Sequence, residues 1–68
     1  MTPNEISDAR HKLGLTQSGL ADVLGLSSNG RRTVSRWEMG EIPISGAAEL
    51  AIHYMLAFGL PDVAFKGR

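Results

Sequence analysis

Residues 16–40 read TQSGLADVLGLSSNGRRTVSRWEMG, and this stretch decides the architecture. Thr16 is an N-cap residue, and Leu20, Ala21 and Leu24 share a helical face with Val23 at its edge, so a short helix spans 17–24. Leu15, just ahead of the cap, is placed to pack on Leu20 as a hydrophobic staple, and Gly25 stops the helix. Gly19 inside it costs roughly 1 kcal/mol against alanine, so this helix leans on tertiary packing. Ser27-Ser28-Asn29-Gly30 is a run of turn and cap residues. Asn29-Gly30 is also a hairpin signal, but no alternating strands flank it. A helix from Gly30 or Arg31 to Met39, closed by Gly40, is the better reading. On a helical wheel Val34 and Trp37 mark its buried side, Arg32, Ser35 and Arg36 the opposite side, and Arg31 the exposed first turn.

Working outward, Thr2-Pro3-Asn4-Glu5 is a capping box that opens a helix over 3–13. Ile6, Ala9 and Leu13 form its apolar face, leaving Asp8, Arg10 and Lys12 for water, and Gly14 follows as a stop. Downstream, Glu41-Ile42-Pro43-Ile44 is a short connection broken by Pro43. Ser45 caps a helix over 46–58 that Gly59 and Pro61 end. This last helix is apolar nearly all round, from Ala47 through Tyr54 to Phe58, more than one side of a small core can hide. The tail, 60–68, keeps Leu60, Val63 and Phe65, so it is expected to pack on the domain or on a dimer partner, with a short fifth turn around 60–66. The chain therefore reads as all-α: a small four- to five-helix bundle over 1–59 containing a helix-turn-helix, followed by that tail.

Sixty-eight residues hold one small core, and with no cysteine to staple it a lone subunit is marginal, so self-association is expected. That size comes close to ruling out an enzyme with an enclosed active site. The longest apolar stretch, 47–60, carries Glu49 and His53 and is too short and too polar to span a bilayer. No basic-then-apolar segment opens the chain, so the cytoplasm is the expected location. Net charge is zero, which alone argues against nucleic acid, but the distribution reverses that argument. Residues 28–37 carry Arg31, Arg32 and Arg36 with no acid, whereas 38–62 carry Glu38, Glu41, Glu49 and Asp62 with no lysine or arginine. A basic window inside an acidic surround is a focused anion-binding patch.

Two short helices joined through Gly25, the second with arginines on its free face, are a helix-turn-helix in outline. Leu13-Gly14-Leu15-Thr16-Gln17, Leu20-Ala21, Leu24-Gly25-Leu26-Ser27 and Thr33-Val34-Ser35-Arg36-Trp37-Glu38-Met39-Gly40 together resemble the Cro/CI-type (XRE) DNA-binding family over roughly 6–58. One departure stands out: five residues, Ser28 to Arg32, separate Ser27 from Thr33 where the usual pattern has two, so either the turn is longer or the second helix starts earlier.

The resemblance implies a lambda-repressor-like fold whose second motif helix enters the DNA major groove. It places Arg31, Arg32, Ser35 and Arg36 at base-contacting positions, and Gln17, Asn29 and Thr33 at phosphate-contacting ones. Arginine bound bidentately to guanine O6 and N7 is worth about 1–3 kcal/mol of discrimination. Arginines on phosphates alone would position without specifying, and at least one of each kind is expected here. Small members of the family bind inverted repeats as twofold dimers, which would set two recognition helices about 34 Å apart. Tyr54, Phe58, Leu60, Val63 and Phe65 are the candidates for that interface. The implied function is a sequence-specific transcriptional regulator, most simply a steric repressor of its own operon, of the kind found as phage or anti-CRISPR-associated autorepressors.

Other readings compete. The chain also suits an antitoxin whose apolar last helix and tail hold a toxin, or a protein-interaction module that has lost DNA binding. Arg31 has Glu38 or Glu41 as potential partners, Glu38 is expected to stabilise locally, and Trp37 belongs to the core rather than to a base-stacking platform. His11 at the surface and a partly packed His53 are far apart with no ligand-type spacing, so neither a metal nor a cofactor is expected. No nucleophile-elbow or phosphate-cradling glycine motif occurs.

Overall fold

The computed structural model describes residues 1–60. Four helices follow in order: α1 (Pro3–Lys12), α2 (Gln17–Val23), α3 (Gly30–Glu38) and α4 (Gly46–Phe58). Three of them start on side-chain caps that satisfy otherwise orphaned N–H groups. Thr2 Oγ1 accepts from the Glu5 amide at 3.1 Å while the Glu5 carboxylate accepts from the Thr2 amide at 2.8 Å. That backbone hydrogen bond holds the Glu5 carboxyl below its ordinary range. Thr16 accepts from the Gly19 amide at 2.9 Å, and Ser45 from the Ala48 amide at 3.2 Å. Only α3 lacks such a cap: Asn29 makes no side-chain bond there, and the Gly30 amide instead bonds the Ser27 carbonyl at 2.8 Å.

The core is a single cluster to which every helix contributes: Ile6 and Ala9, Leu20 and Ala21, Val34 and Trp37, and Ala48, Ile52 and Met55. The motif pair α2 and α3 packs together most extensively, and α1 packs on both α3 and α4. Two glycines set the motif's shape. Gly25 turns the chain with φ +72°, a conformation that disfavours any residue with a Cβ. Gly30 is buried at the start of α3, where a Cβ would lie 2.6 Å from Leu26 Cβ and 2.8 Å from Ala21 Cβ. The extra residues before Thr33 are shared between two solutions: Ser28 and Asn29 lengthen the turn, and Gly30, Arg31 and Arg32 extend the helix at its start.

Helix boundaries match the sequence reading except that α1, α2 and α3 each end one residue early, on Leu13, Leu24 and Met39 as C-caps. The larger correction concerns Arg10, which does not face water. Its Nε donates to Glu38 Oε2 at 2.6 Å, its Nη2 to Glu38 Oε1 at 3.1 Å, and its Nη1 to the Leu15 carbonyl at 3.0 Å. The two side chains are only 12% and 10% exposed. The reason is positional: Arg10 lies four residues after Ile6 and three before Leu13, on the apolar face of α1, and its charge is buried with a partner. Hydrogen bonding to Glu38 raises the Arg10 pKa further above its already high value. Glu38 is correspondingly not a local stabiliser but the tie between α1 and α3. The expected fifth turn and the packing of Val63 and Phe65 lie outside the described residues. Among the described residues no helix is long and apolar enough to cross a membrane.

Candidate nucleic-acid interface

With Val34 and Trp37 committed to the core, α3 turns Arg31, Arg32 and Arg36 to solvent and leaves Ser35 half-buried. These four residues and Gln17, from the first turn of α2, line one open depression of about 400 Å³. The structure thus brings together every residue expected to contact bases and one of the three expected to contact phosphate. Asn29 and Thr33 are not in that lining; Asn29 is exposed, and the Thr33 hydroxyl donates to the Asn29 carbonyl at 3.3 Å. Gln17 is held at the rim by its amide, which donates to Glu38 Oε1 at 3.3 Å. The Glu38 carboxylate therefore ties α1, α2 and α3 together through Arg10 and Gln17.

Residues 6–48 match the helix-turn-helix family. The chain is a helix-turn-helix protein of the Cro/CI type. Three curated relatives carry the same region. The type II methyltransferase M1.ScrFI of Lactococcus lactis subsp. cremoris is 42% identical over 64 residues, covering 93% of this chain and 15% of that protein. The type II methyltransferase M.SsoII of Shigella sonnei is 47% identical over 47 residues, 69% of this chain and 12% of the enzyme. The transcriptional repressor protein KorC of Escherichia coli is 45% identical over 47 residues, 69% of this chain and 55% of the repressor. The helix-turn-helix chain thus spans a small part of each methyltransferase and about half of the repressor. No solved structure matches it.

Two residues of this helix-turn-helix surface escaped the sequence reading, Met39 and Glu41, which line the same depression. Met39 sits four residues after Ser35, whose hydroxyl donates to its sulfur at 3.7 Å, so helical spacing alone places it there. Glu41 takes Arg36, not Arg31, with Arg36 Nε donating to Glu41 Oε1 at 3.3 Å. The expected pairing of Arg31 with Glu38 or Glu41 is replaced by these two other arginines: Arg10 reaches Glu38 from the core side, and Arg36 reaches Glu41 across the cap of its own helix.

A second surface of the helix-turn-helix domain, built on α4, is apolar. Leu50 and Phe58 on α4 are 72% and 76% exposed, and the Tyr54 and Phe58 rings pack at a tilt with centroids 4.8 Å apart. Tyr54, Phe58 and the half-buried Leu60 line an open depression of about 610 Å³ that Val23 and Leu24 of α2 complete. His53 is exposed rather than partly packed, its Nε2 lying 3.6 Å from Glu49, which also accepts from the chain's amino terminus at 3.1 Å.

Proposed function

We propose that this DNA-binding regulator acts in the cytoplasm as a homodimeric repressor that recognises an inverted-repeat operator and controls its own operon. The observation that carries the reading is the clustering of Arg31, Arg32, Ser35 and Arg36 with Gln17 around one open depression on α3. Guanidinium groups projecting from a helix that fits the major groove can read guanine edges and neutralise phosphates at once. Gln17 and the start of α2 offer further donors to a backbone phosphate, and Asn29 and Thr33 extend the phosphate contacts beyond the depression. Kinship with the repressor supports the regulatory role, exercised most simply by occlusion of a promoter.

The apolar depression on α4 supports dimerisation through Tyr54, Phe58 and Leu60; Val63 and Phe65, the other two interface candidates, lie outside the described residues. Exposed apolar side chains on a small domain call for a partner, and a self-complementary face gives the twofold symmetry an inverted repeat requires. Phe58→Glu or Tyr54→Glu should leave a folded, mostly monomeric protein with weakened DNA affinity, measured by sedimentation and by titration against operator DNA. Two variants that stay dimeric would remove this interface.

The decisive test is binding to DNA from upstream of the protein's own gene, at two salt concentrations with competitor DNA. Competitor-resistant protection of an inverted repeat, with affinity falling steeply with salt through counterion release, is the expected result. Loss of all binding at moderate salt would shift the balance to an antitoxin or an interaction module, and a toxin or other protein would then be sought by pull-down. A second setting rests on the two methyltransferase relatives: a regulator working beside a DNA-modifying enzyme. Protection of a promoter that drives such an enzyme, rather than the chain's own gene, would favour it.

A further inference from the structure

Arg36 differs from Arg31 and Arg32 in having its guanidinium held. The hold is built into the end of α3. Met39 caps the helix, Gly40 follows with φ +77°, and the Gly40 amide bonds the Trp37 carbonyl at 3.2 Å. The Glu41 amide then bonds the Arg36 carbonyl at 2.9 Å, the paired pattern of a Schellman cap. Residues 36 and 41 are thereby joined twice, main chain to main chain and side chain to side chain, the second link being Arg36 Nε to Glu41 Oε1 at 3.3 Å. That contact engages the guanidinium on its Nε side. The terminal Nη1 and Nη2 remain for an end-on fork, the geometry that meets guanine O6 and N7. Both side chains are about half exposed and line the same depression as the other arginines.

We infer that Glu41 is a specificity-determining residue of the DNA-reading surface: anchored by the α3 cap, it pins Arg36 so that its terminal nitrogens read one guanine, and its carboxylate repels phosphate from that spot. The inference rests on the proposed reading of bases by α3. Arg31 and Arg32, with no acidic partner among the described residues, are free to follow phosphates, so the three arginines divide between reading and positioning. An acid in a DNA-binding surface lowers raw affinity, and what it returns is discrimination, because a pinned arginine loses more on meeting the wrong base than a mobile one that can swing to a phosphate.

The test is selection of preferred sequences from a randomised duplex pool by the full chain and by Glu41→Ala, Glu41→Gln, Arg36→Ala and Arg36→Ala/Glu41→Ala. The wild type should select a site with guanine at one position of each half. Glu41→Ala should flatten that preference about tenfold, within the range one bidentate contact supplies, while binding random duplex as tightly as wild type or tighter. Glu41→Gln should fall between them, with melting temperatures within a few degrees of wild type throughout. In the Arg36→Ala background, Glu41→Ala should change base preference no further, which a general electrostatic or structural role would not produce. Unchanged preference in Glu41→Ala, or an equal effect without Arg36, overturns the inference while leaving base reading by α3 intact. A wild type that selects no sequence overturns both.

Discussion

Helix α3 contributes one member to each of two arginine–glutamate pairs that share a chemistry and differ in everything else. Arg10–Glu38 spans from α1 to α3 with both side chains nearly buried, a 2.6 Å contact and three further hydrogen bonds on the same two groups. Arg36–Glu41 stays at one end of α3, half exposed, with a single 3.3 Å contact. Water decides what each pair does. Nearly dry charges must find their partners inside the protein, so Arg10 and Glu38 fix how the helices sit. Wet charges gain little stability from pairing, so the fold loses little when Arg36–Glu41 is broken. The same residue types thus build the frame in one pair and, on the proposed reading, position a base contact in the other.

The largest expected effect tests the first half of that contrast. Arg10→Ala strands the Glu38 carboxylate in a nearly buried place and should cost about 3 kcal/mol, the lower part of the range for breaking a buried pair. In a domain this small that corresponds to a fall in Tm of more than about 10 °C. The Arg10→Met/Glu38→Leu double variant should recover most of the loss, because replacing both charges removes the stranded one. If Arg10→Ala melts like wild type, the pair is no stronger than a surface one and the contrast collapses.

Gly30 offers a way to strain one pair without the other. In Gly30→Ala the new Cβ meets Ala21 Cβ and Leu26 Cβ, atoms fixed by their backbones, so α3 must shift against α2 at a cost of about 2 kcal/mol. That shift moves Glu38 relative to Arg10 but carries Arg36 and Glu41 along together. Combining Gly30→Ala with Arg10→Ala should therefore be non-additive by more than about 0.5 kcal/mol, and combining it with Arg36→Ala additive within that margin, read from denaturant unfolding. Additivity in both would show that Gly30 does not set the position of α3.

The four helices were legible because their signals are local: Thr2, Thr16 and Ser45 as caps, and apolar residues at helical spacing. The arginine-bearing face of α3 was legible for the same reason, since Val34 and Trp37 fix which way Arg32, Ser35 and Arg36 point. What escaped depends on distance along the chain. Nothing near Arg10 announces Glu38, 28 residues away, and a wheel that assigns charged residues to water places Arg10 on the wrong side. Gly30 reads locally as a turn residue or a helix start, and its packing reason, the closeness of Ala21 in another helix, is not local. Glu41 was missed because it lies past Gly40, beyond the helix whose face was being read, although the cap folds it back beside Arg36.

The smallest change in stability is expected at the exposed pair, where the change in function should be large. Arg36→Ala removes a contact worth at most about 1 kcal/mol, and less as salt rises and screens it. Its Tm should stay within a few degrees of wild type and converge on it between low and high salt. Operator affinity should fall by about 5- to 150-fold, the worth of one bidentate base contact. Affinity for random DNA should fall far less, because the lost contact carries base information rather than mainly phosphate charge. Measuring all three quantities on one sample separates the roles cleanly. A variant that loses stability and random-DNA affinity together would place Arg36 in the frame with Arg10, and the division of labour between the two pairs would be gone.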